Sequence, residues 1–380
     1  LGCYREDNNA FLFQLRHNGK QNIKKFPHRN GAKSIYDGKN YGPYFGSGPD
    51  LFTFEKRVQK TDEYFPLNGR MKCQTYDMSG WEKETSDKYH MKVNDLEVYL
   101  VKDAPVTVWR DVVATWNQQA LENLKTEIQT FTYPATKITK ANILLVGSIG
   151  AGKSSFINTI YSTFAGYYTS LAISGSADRS VTRKFRKYPI WIKDQTLPFV
   201  MCDTQGFDLM TLEELVCIVD GNVPDGYQFN DSAPFKEDSQ ESIRNPSLME
   251  QMHCVVLVID SSKMAVMPPK TESKIKELQL KLNQKEVPYV ILLTNVDRLC
   301  PLVSDDLSMI FDNREISSLV LNTADLFGMP RGNVLPVKNY EHEQNGECKV
   351  DILALIALRQ ILRSSLGFLQ MRSQMKKEGE

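Results

Sequence analysis

The stretch "LLVGSIGAGKSSFINTI", Leu144 to Ile160, passes from an apolar run through a cluster of small residues to Lys153 and two serines, then turns apolar again. Gly147, Gly152, Lys153 and Ser154 fit the spacing G-x-x-x-x-G-K-[ST], with a strand-like run before it and a helical pattern after it. Glycines let successive backbone N–H groups curl around a phosphate, and the positive end of a helix starting near Lys153 faces the same charge. On this reading Gly147, Ser148, Ile149, Gly150, Ala151 and Gly152 form the cradle and Ser155 continues it into the helix. Lys153 bridges the two outer phosphates, and Ser154 gives its hydroxyl to Mg²⁺.

Outward from this turn, the runs "NILLVG", "LPFVMCD", "HCVVLVID", "YVILLTN" and "NVLPV" are short and apolar throughout, and helical patterns separate them. Strands buried on both faces look like this, so the fold class is α/β: a P-loop domain with a mainly parallel sheet covered by helices.

Two of these strands end on chemistry. "MCDTQGFD" closes one with Asp203, and Gly206 follows in D-x-x-G spacing, which suits a carboxylate serving Mg²⁺ and a glycine N–H meeting a terminal phosphate. "LLTNVDRL" closes another with Thr294, Asn295 and Asp297 in a T-K-x-D arrangement, with Asn295 where Lys is usual. Asp297 can accept two hydrogen bonds from guanine N1 and N2, which adenine does not supply, so GTP and GDP are favoured over ATP. Thr182, just before a strand that pairs through "KDQT" with the one ending at Asp203, stands where a Mg²⁺-binding threonine belongs. "LPVKNY" puts Lys338 and Asn339 where a loop would back the base. The residue after Gly206 is Phe207, which can neither donate nor accept a hydrogen bond. Gln205 and Asp208 are therefore the catalytic candidates, and unaided hydrolysis is expected to be slow.

Lys+Arg and Asp+Glu both number 46, so the chain offers no net attraction to a polyanion, and nucleic acid is not expected as a partner. The 7 cysteines are scattered and form no C-x-x-C pair, which reads as reduced thiols in a cytosolic protein. No apolar run reads as a membrane span and no secretory signal opens the chain. The chain begins at Leu1 rather than Met, as a fragment would.

Residues 1–103 are rich in aromatics, glycines and turn dipeptides, with alternating runs such as "AFLFQLR" and "NDLEVYLV" that suit half-buried strands. From 104 to 138 the apolar residues Trp109, Val112, Val113, Trp116, Leu121, Leu124, Ile128 and Phe131 recur at helical spacing, which predicts a connecting helix whose tryptophans dock on a domain. The P-loop domain spans 139–370 and closes on a helix from Lys349 to Arg372. Residues 371–380 form a charged tail, and the polar segment from Gly221 to Ser247 reads as a loop.

With "GSIGAGKSSFINTI", "DGYQFN", "MHCVVLVID" and "LLTNVD" in the second part, and "AFLFQLR", "YGPYFGSGPDL" and "VNDLEVYLV" in the first, the chain resembles the interferon-induced protein 44 family over nearly its whole length. The resemblance implies a cytoplasmic, interferon-inducible, guanine-nucleotide-binding protein of the innate antiviral response. It also implies that the first part is the later portion of a TLDc β-sandwich. The expected cofactors are GTP or GDP with Mg²⁺. The expected partners are proteins bound through the TLDc-like part, or a second copy through the nucleotide domain. Two rival readings stay open: a scaffold that holds nucleotide without turning it over, and an ATP-using P-loop protein.

Overall fold

The computed structural model describes residues 108–110, 115–172, 182–230, 232–341, 343 and 345–378, together with six strands between Cys3 and Phe52. The chain divides into two units, Leu1–Pro105 and Val106–Glu380.

The described part of the first unit is antiparallel. Strands β1 (Cys3–Arg5), β2 (Phe11–His17), β3 (Lys20–Pro27), β4 (Ile35–Asp37), β5 (Tyr44–Phe45) and β6 (Leu51–Phe52) form a sheet in the order β1-β4-β5-β6 and a separate β2-β3 pair. The "AFLFQLR" run supplies β2, as its alternation suggests. "NDLEVYLV", read above as a strand, lies outside the described residues.

The second unit holds α1 (Gln118–Gln129), β7 (Ala141–Val146), α2 (Lys153–Ala165), β8 (Arg186–Ile192), β9 (Gln195–Asp203), α3 (Leu212–Asp220), β10 (Cys254–Asp260), α4 (Pro269–Gln284), β11 (Tyr289–Thr294), α5 (Pro301–Asp305), α6 (Arg314–Leu326), β12 (Val334–Pro336) and α7 (Cys348–Glu378). Its strands lie in the order β12-β11-β10-β7-β9-β8, all parallel except β8, which runs antiparallel to β9. Every residue of β7 and β10 is buried, which is why their sequences are apolar without alternation. From β7 the chain builds β8 and β9 on one side and then crosses to β10 on the other. The turn after β7 therefore opens at a topological switch point, at the carboxyl end of the strands where α/β sheets bind ligands.

Helix α1 begins later than the periodicity suggests. Asn117 accepts a hydrogen bond from the Ala120 N–H at 3.0 Å and caps the helix there, so Trp109 and Trp116 precede it. Both tryptophans dock: the Trp109 indole donates to the Ile310 carbonyl at 3.0 Å, and the Trp109 and Trp116 rings lie 5.4 and 5.8 Å from Phe311. At the other end α7 continues to Glu378, so the charged residues read as a tail extend the helix. An 18-residue window within Cys348–Met375 has mean hydropathy 1.6, so the helix is long and apolar enough to span a membrane, against the expectation of no such run. Because 67% of that window is buried in the fold, packed on α1 and on β7, β10, β11 and β12, α7 is a core helix.

The Gly221–Ser247 segment is not a free loop. Phe229 and Phe235 are buried, with the Tyr227 ring 5.6 and 5.0 Å from them, and the Phe185 N–H donates to the Tyr227 carbonyl at 2.8 Å. The "DGYQFN" run thus pins the chain just before β8.

His253, which precedes β10, is fully buried. Its Nδ1 accepts the Asn142 N–H at 2.8 Å, and its Nε2 donates to the Leu248 carbonyl at 2.7 Å, which fixes the neutral ring. Burial pushes its pKa down from 6.5 to about 4, partly opposed by the Leu248 bond. The folded pKa lies below the unfolded one, so the stability that depends on the neutral ring is complete above about pH 6.5 and is lost as pH falls toward 4. The loss amounts to at most about 3 kcal/mol. Urea unfolding across this range should show that acid loss in the wild type and a flatter profile in His253→Gln.

Candidate functional site

The turn after β7 is held on three sides. A Cβ at Gly147 would collide with the Val258 carbonyl oxygen, so only glycine lets the turn leave β7 this close to β10. The Thr294 hydroxyl, at the end of β11 and fully buried, donates to the Ala151 carbonyl at 2.8 Å. The Asn339 amide donates to the Gly152 carbonyl at 3.2 Å, and Gly152 itself has φ +96°, which favours glycine.

Helix α2 starts from Gly152, which offers no capping side chain, so the amides of Lys153, Ser154 and Ser155 at its first turn have no side-chain acceptor from the cap. Inside the turn the Lys153 ammonium folds back and donates to the carbonyls of Gly147 at 2.7 Å and Ser148 at 3.2 Å. Burial pushes its pKa below the usual lysine value, while Asp203 and Asp208 pull it back up.

Asp203 ends β9 and is 1% exposed. Its Oδ2 accepts from the Ser154 hydroxyl at 2.6 Å and the Thr182 hydroxyl at 3.4 Å, and those two hydroxyls are 3.3 Å apart. Burial pushes the Asp203 carboxyl above the usual carboxylate range, against the Ser154 hydrogen bond and the Lys153 charge. Three hard oxygen donors with one desolvated carboxylate fit Mg²⁺, which binds through one or two carboxylates together with phosphate oxygens and waters. Among the described residues no group of three or more His, Cys, Asp or Glu side chains could hold a metal instead.

On the other side of the turn, Asn295 takes the left-handed conformation at φ 57° and starts the short turn Val296–Arg298 that carries half-buried Asp297. Arg298 pairs with Glu341 at 2.9 Å. Lys338 pairs with Glu343 at 2.9 Å and Glu347 at 3.8 Å. Burial works against the Lys338 ammonium, but Glu343, Glu347 and Asp297 outweigh it and raise its pKa.

A family model described as "50S ribosome-binding GTPase" matches residues 142–295, the span from β7 to the end of β11. Interferon-induced protein 44 of Homo sapiens is 32% identical over 328 residues, which is 84% of this chain and 73% of that protein. The chain belongs to the interferon-induced protein 44 family. Interferon-induced protein 44-like of Homo sapiens is 34% identical over 256 residues, 65% of this chain and 56% of that protein, so this chain spans little more than half of that relative. A solved structure titled "Crystal structure of a probable GTP-binding protein engB" covers 52% of this chain and 89% of its own at 15% identity, with a TM-score of 0.32.

Within this member of the interferon-induced protein 44 family, the structure brings Lys153, Ser154, Thr182 and Asp203 together. Thr294 and Asn339, read from sequence as base-side residues, act as braces on the turn, and Asn339 also accepts from the Thr159 hydroxyl at 3.4 Å. Gln205 is buried, and so is Phe207, whose ring helps line an apolar cavity of about 290 Å³ with Ile149, Val258, Met267 and Ile275. That cavity lies on the α4 side of the turn, and neither Lys153, Ser154 nor Asp203 lines it. Sequence reading missed Lys274 of α4, which donates to the carbonyls of Phe207, at 2.7 Å, and Met210, with its ammonium 4.7 Å from the Phe207 ring centre. No motif marks that lysine.

Proposed function

We propose that this chain is a Mg²⁺-dependent guanine-nucleotide switch with slow intrinsic GTP hydrolysis, acting in the cytoplasm in the interferon-induced antiviral response. Its first unit, read as part of a TLDc region, serves as the interaction module. The observation that carries the nucleotide reading is the meeting of Ser154, Thr182 and Asp203 beside buried Lys153, at the uncapped start of α2. The uncapped amides and the lysine bind and orient the phosphates. Ser154 and Asp203, with Thr182, would hold Mg²⁺, which would supply neutralisation of the phosphate charge. Asp297 reads the guanine edge. Thr182 and Gly206 lie on the two segments, before β8 and after β9, that would respond to the terminal phosphate.

Titration of the purified chain with fluorescent GTP, GDP and ATP, with and without Mg²⁺, tests this reading. Guanine nucleotides should bind in Mg²⁺ and displace ATP. Lys153→Ala should abolish binding with the fold retained, and Asp297→Asn should shift preference toward xanthosine nucleotides. Guanine binding undiminished in folded Lys153→Ala would remove the phosphate assignment. Equal affinity for GTP and GDP would favour the scaffold reading, since ligands that do not discriminate between states shift no population.

Phe207 and the burial of Gln205 support slow chemistry, because neither residue presents an open polar group at the site. Single-turnover hydrolysis by dilute monomer should run at or below roughly 5 × 10⁻⁴ s⁻¹, the unaided rate of Ras. A rate on the order of 1 s⁻¹ that is lost in Gln205→Ala would make Gln205 catalytic and overturn the slow-enzyme account.

A further inference from the structure

Asp208 is exposed, yet its carboxylate reaches back onto the phosphate turn. Its Oδ1 accepts from the Ser148 hydroxyl at 3.2 Å, and its Oδ2 accepts from the Ile149 N–H at 3.3 Å. The backbone around it is held from both sides. The Phe207 N–H donates to the Gly147 carbonyl at 3.0 Å, while Lys274 holds the carbonyls of Phe207 and Met210. The buried Phe207 ring lies between the turn and α4 and lines the apolar cavity there. Asp208 therefore sits at the rim of the cradle by construction, with its neighbours in the chain tied to two different elements.

We propose that Asp208 sets the preference between nucleoside di- and triphosphate by holding a negative charge at the rim of the phosphate turn, where a terminal phosphate must arrive. The proposal rests on the nucleotide reading and adds a specificity-determining residue to it. Two features favour this role over a purely structural tie. Both hydrogen bonds are long for a charged acceptor, against about 2.5–2.7 Å for an O–H and about 2.7–2.9 Å for an N–H donor, so they hold the carboxylate loosely. The carboxylate also shares Ser148 with Lys153: Asp208 accepts from the Ser148 hydroxyl at 3.2 Å and the lysine ammonium donates to the Ser148 carbonyl at 3.2 Å, so the two opposite charges hold one residue of the turn. A triphosphate brings roughly one more negative charge than a diphosphate and places it farther out along the turn, so Asp208 penalises it more. Binding of the triphosphate requires the clasp to yield, which moves Phe207 and its contacts with α4. In this way the outermost phosphate is sensed at Lys274.

The test uses the full chain, freed of nucleotide, and measures affinity for fluescent-labelled GTP and GDP in Mg²⁺ for the wild type, Asp208→Asn and Asp208→Ala, each at low and high salt. Thermal melts check that the variants fold. Asp208→Asn keeps the side-chain shape and removes the charge. It should raise GTP affinity about tenfold and GDP affinity about twofold or less, and Asp208→Ala should do the same. The wild-type GTP-to-GDP affinity ratio should rise with salt, because salt screens an exposed carboxylate, and the ratio for Asp208→Asn should stay flat. Binding of both nucleotides with an unchanged ratio in the variants would overturn the role of Asp208 and leave the nucleotide reading intact. Failure of wild type and variants alike to bind either nucleotide would overturn that reading and this inference with it.

Discussion

A lysine and an aspartate, both buried, come together at the carboxyl edge of the sheet, and the second unit is organised around holding them there. Lys153 is 7% exposed and Asp203 1% exposed. Buried charges are costly unless they are paired and hydrogen-bonded, and removing one partner leaves the other stranded. Here the ammonium relies on the Gly147 and Ser148 carbonyls and the carboxylate on the Ser154 and Thr182 hydroxyls and the Thr204 N–H. Burial works against both charged forms, while the attraction between Lys153 and Asp203 and the hydrogen bonds to the carboxylate oppose it. A phosphate beside the lysine and a divalent cation beside the aspartate would favour both charged forms.

The surrounding packing keeps that pair in place. The turn cannot move toward β10 without meeting Val258, and it cannot rise away while Thr294 and Asn339 hold its carbonyls. The braces come from the end of β11 and the loop that follows β12, so the parallel sheet positions both. On the far side Phe207 and Lys274 tie the segment after β9 to α4. A chain of contacts from Ser148 through Asp208 and Phe207 to Lys274 is thus available to report what occupies the turn.

Much of this was legible in the sequence because it is local. The P-loop spacing, the buried strands, the hairpin that brings Thr182 to Asp203 and the family resemblance all follow from residues near one another in the chain. What escaped reading depends on contacts between distant segments. The helical spacing from Trp109 onward continued past the point where Asn117 caps α1, because a cap overrides periodicity at a boundary. Thr294 and Asn339 sit in motif positions that suggest base contact, yet each spends its polar group on the turn, which only the sheet order explains. Lys274 lies on an amphipathic helix among other lysines, and nothing in its neighbourhood separates it from a solvated one. The Gly221–Ser247 segment reads as polar loop because its few anchoring aromatics are spaced irregularly.

Thermal unfolding of wild type and Asp203→Asn, each with and without GTP and Mg²⁺, tests most directly what the buried pair is for. If the buried carboxylate is kept for a bound cation, the deciding quantity is the ligand response and not the ligand-free melting temperature, which in Asp203→Asn also carries the loss of the Lys153 countercharge. The rise in melting temperature that Mg²⁺ and GTP give the wild type should then be lost. An Asp203→Asn protein that keeps the full rise would show a structural aspartate and contradict the central claim.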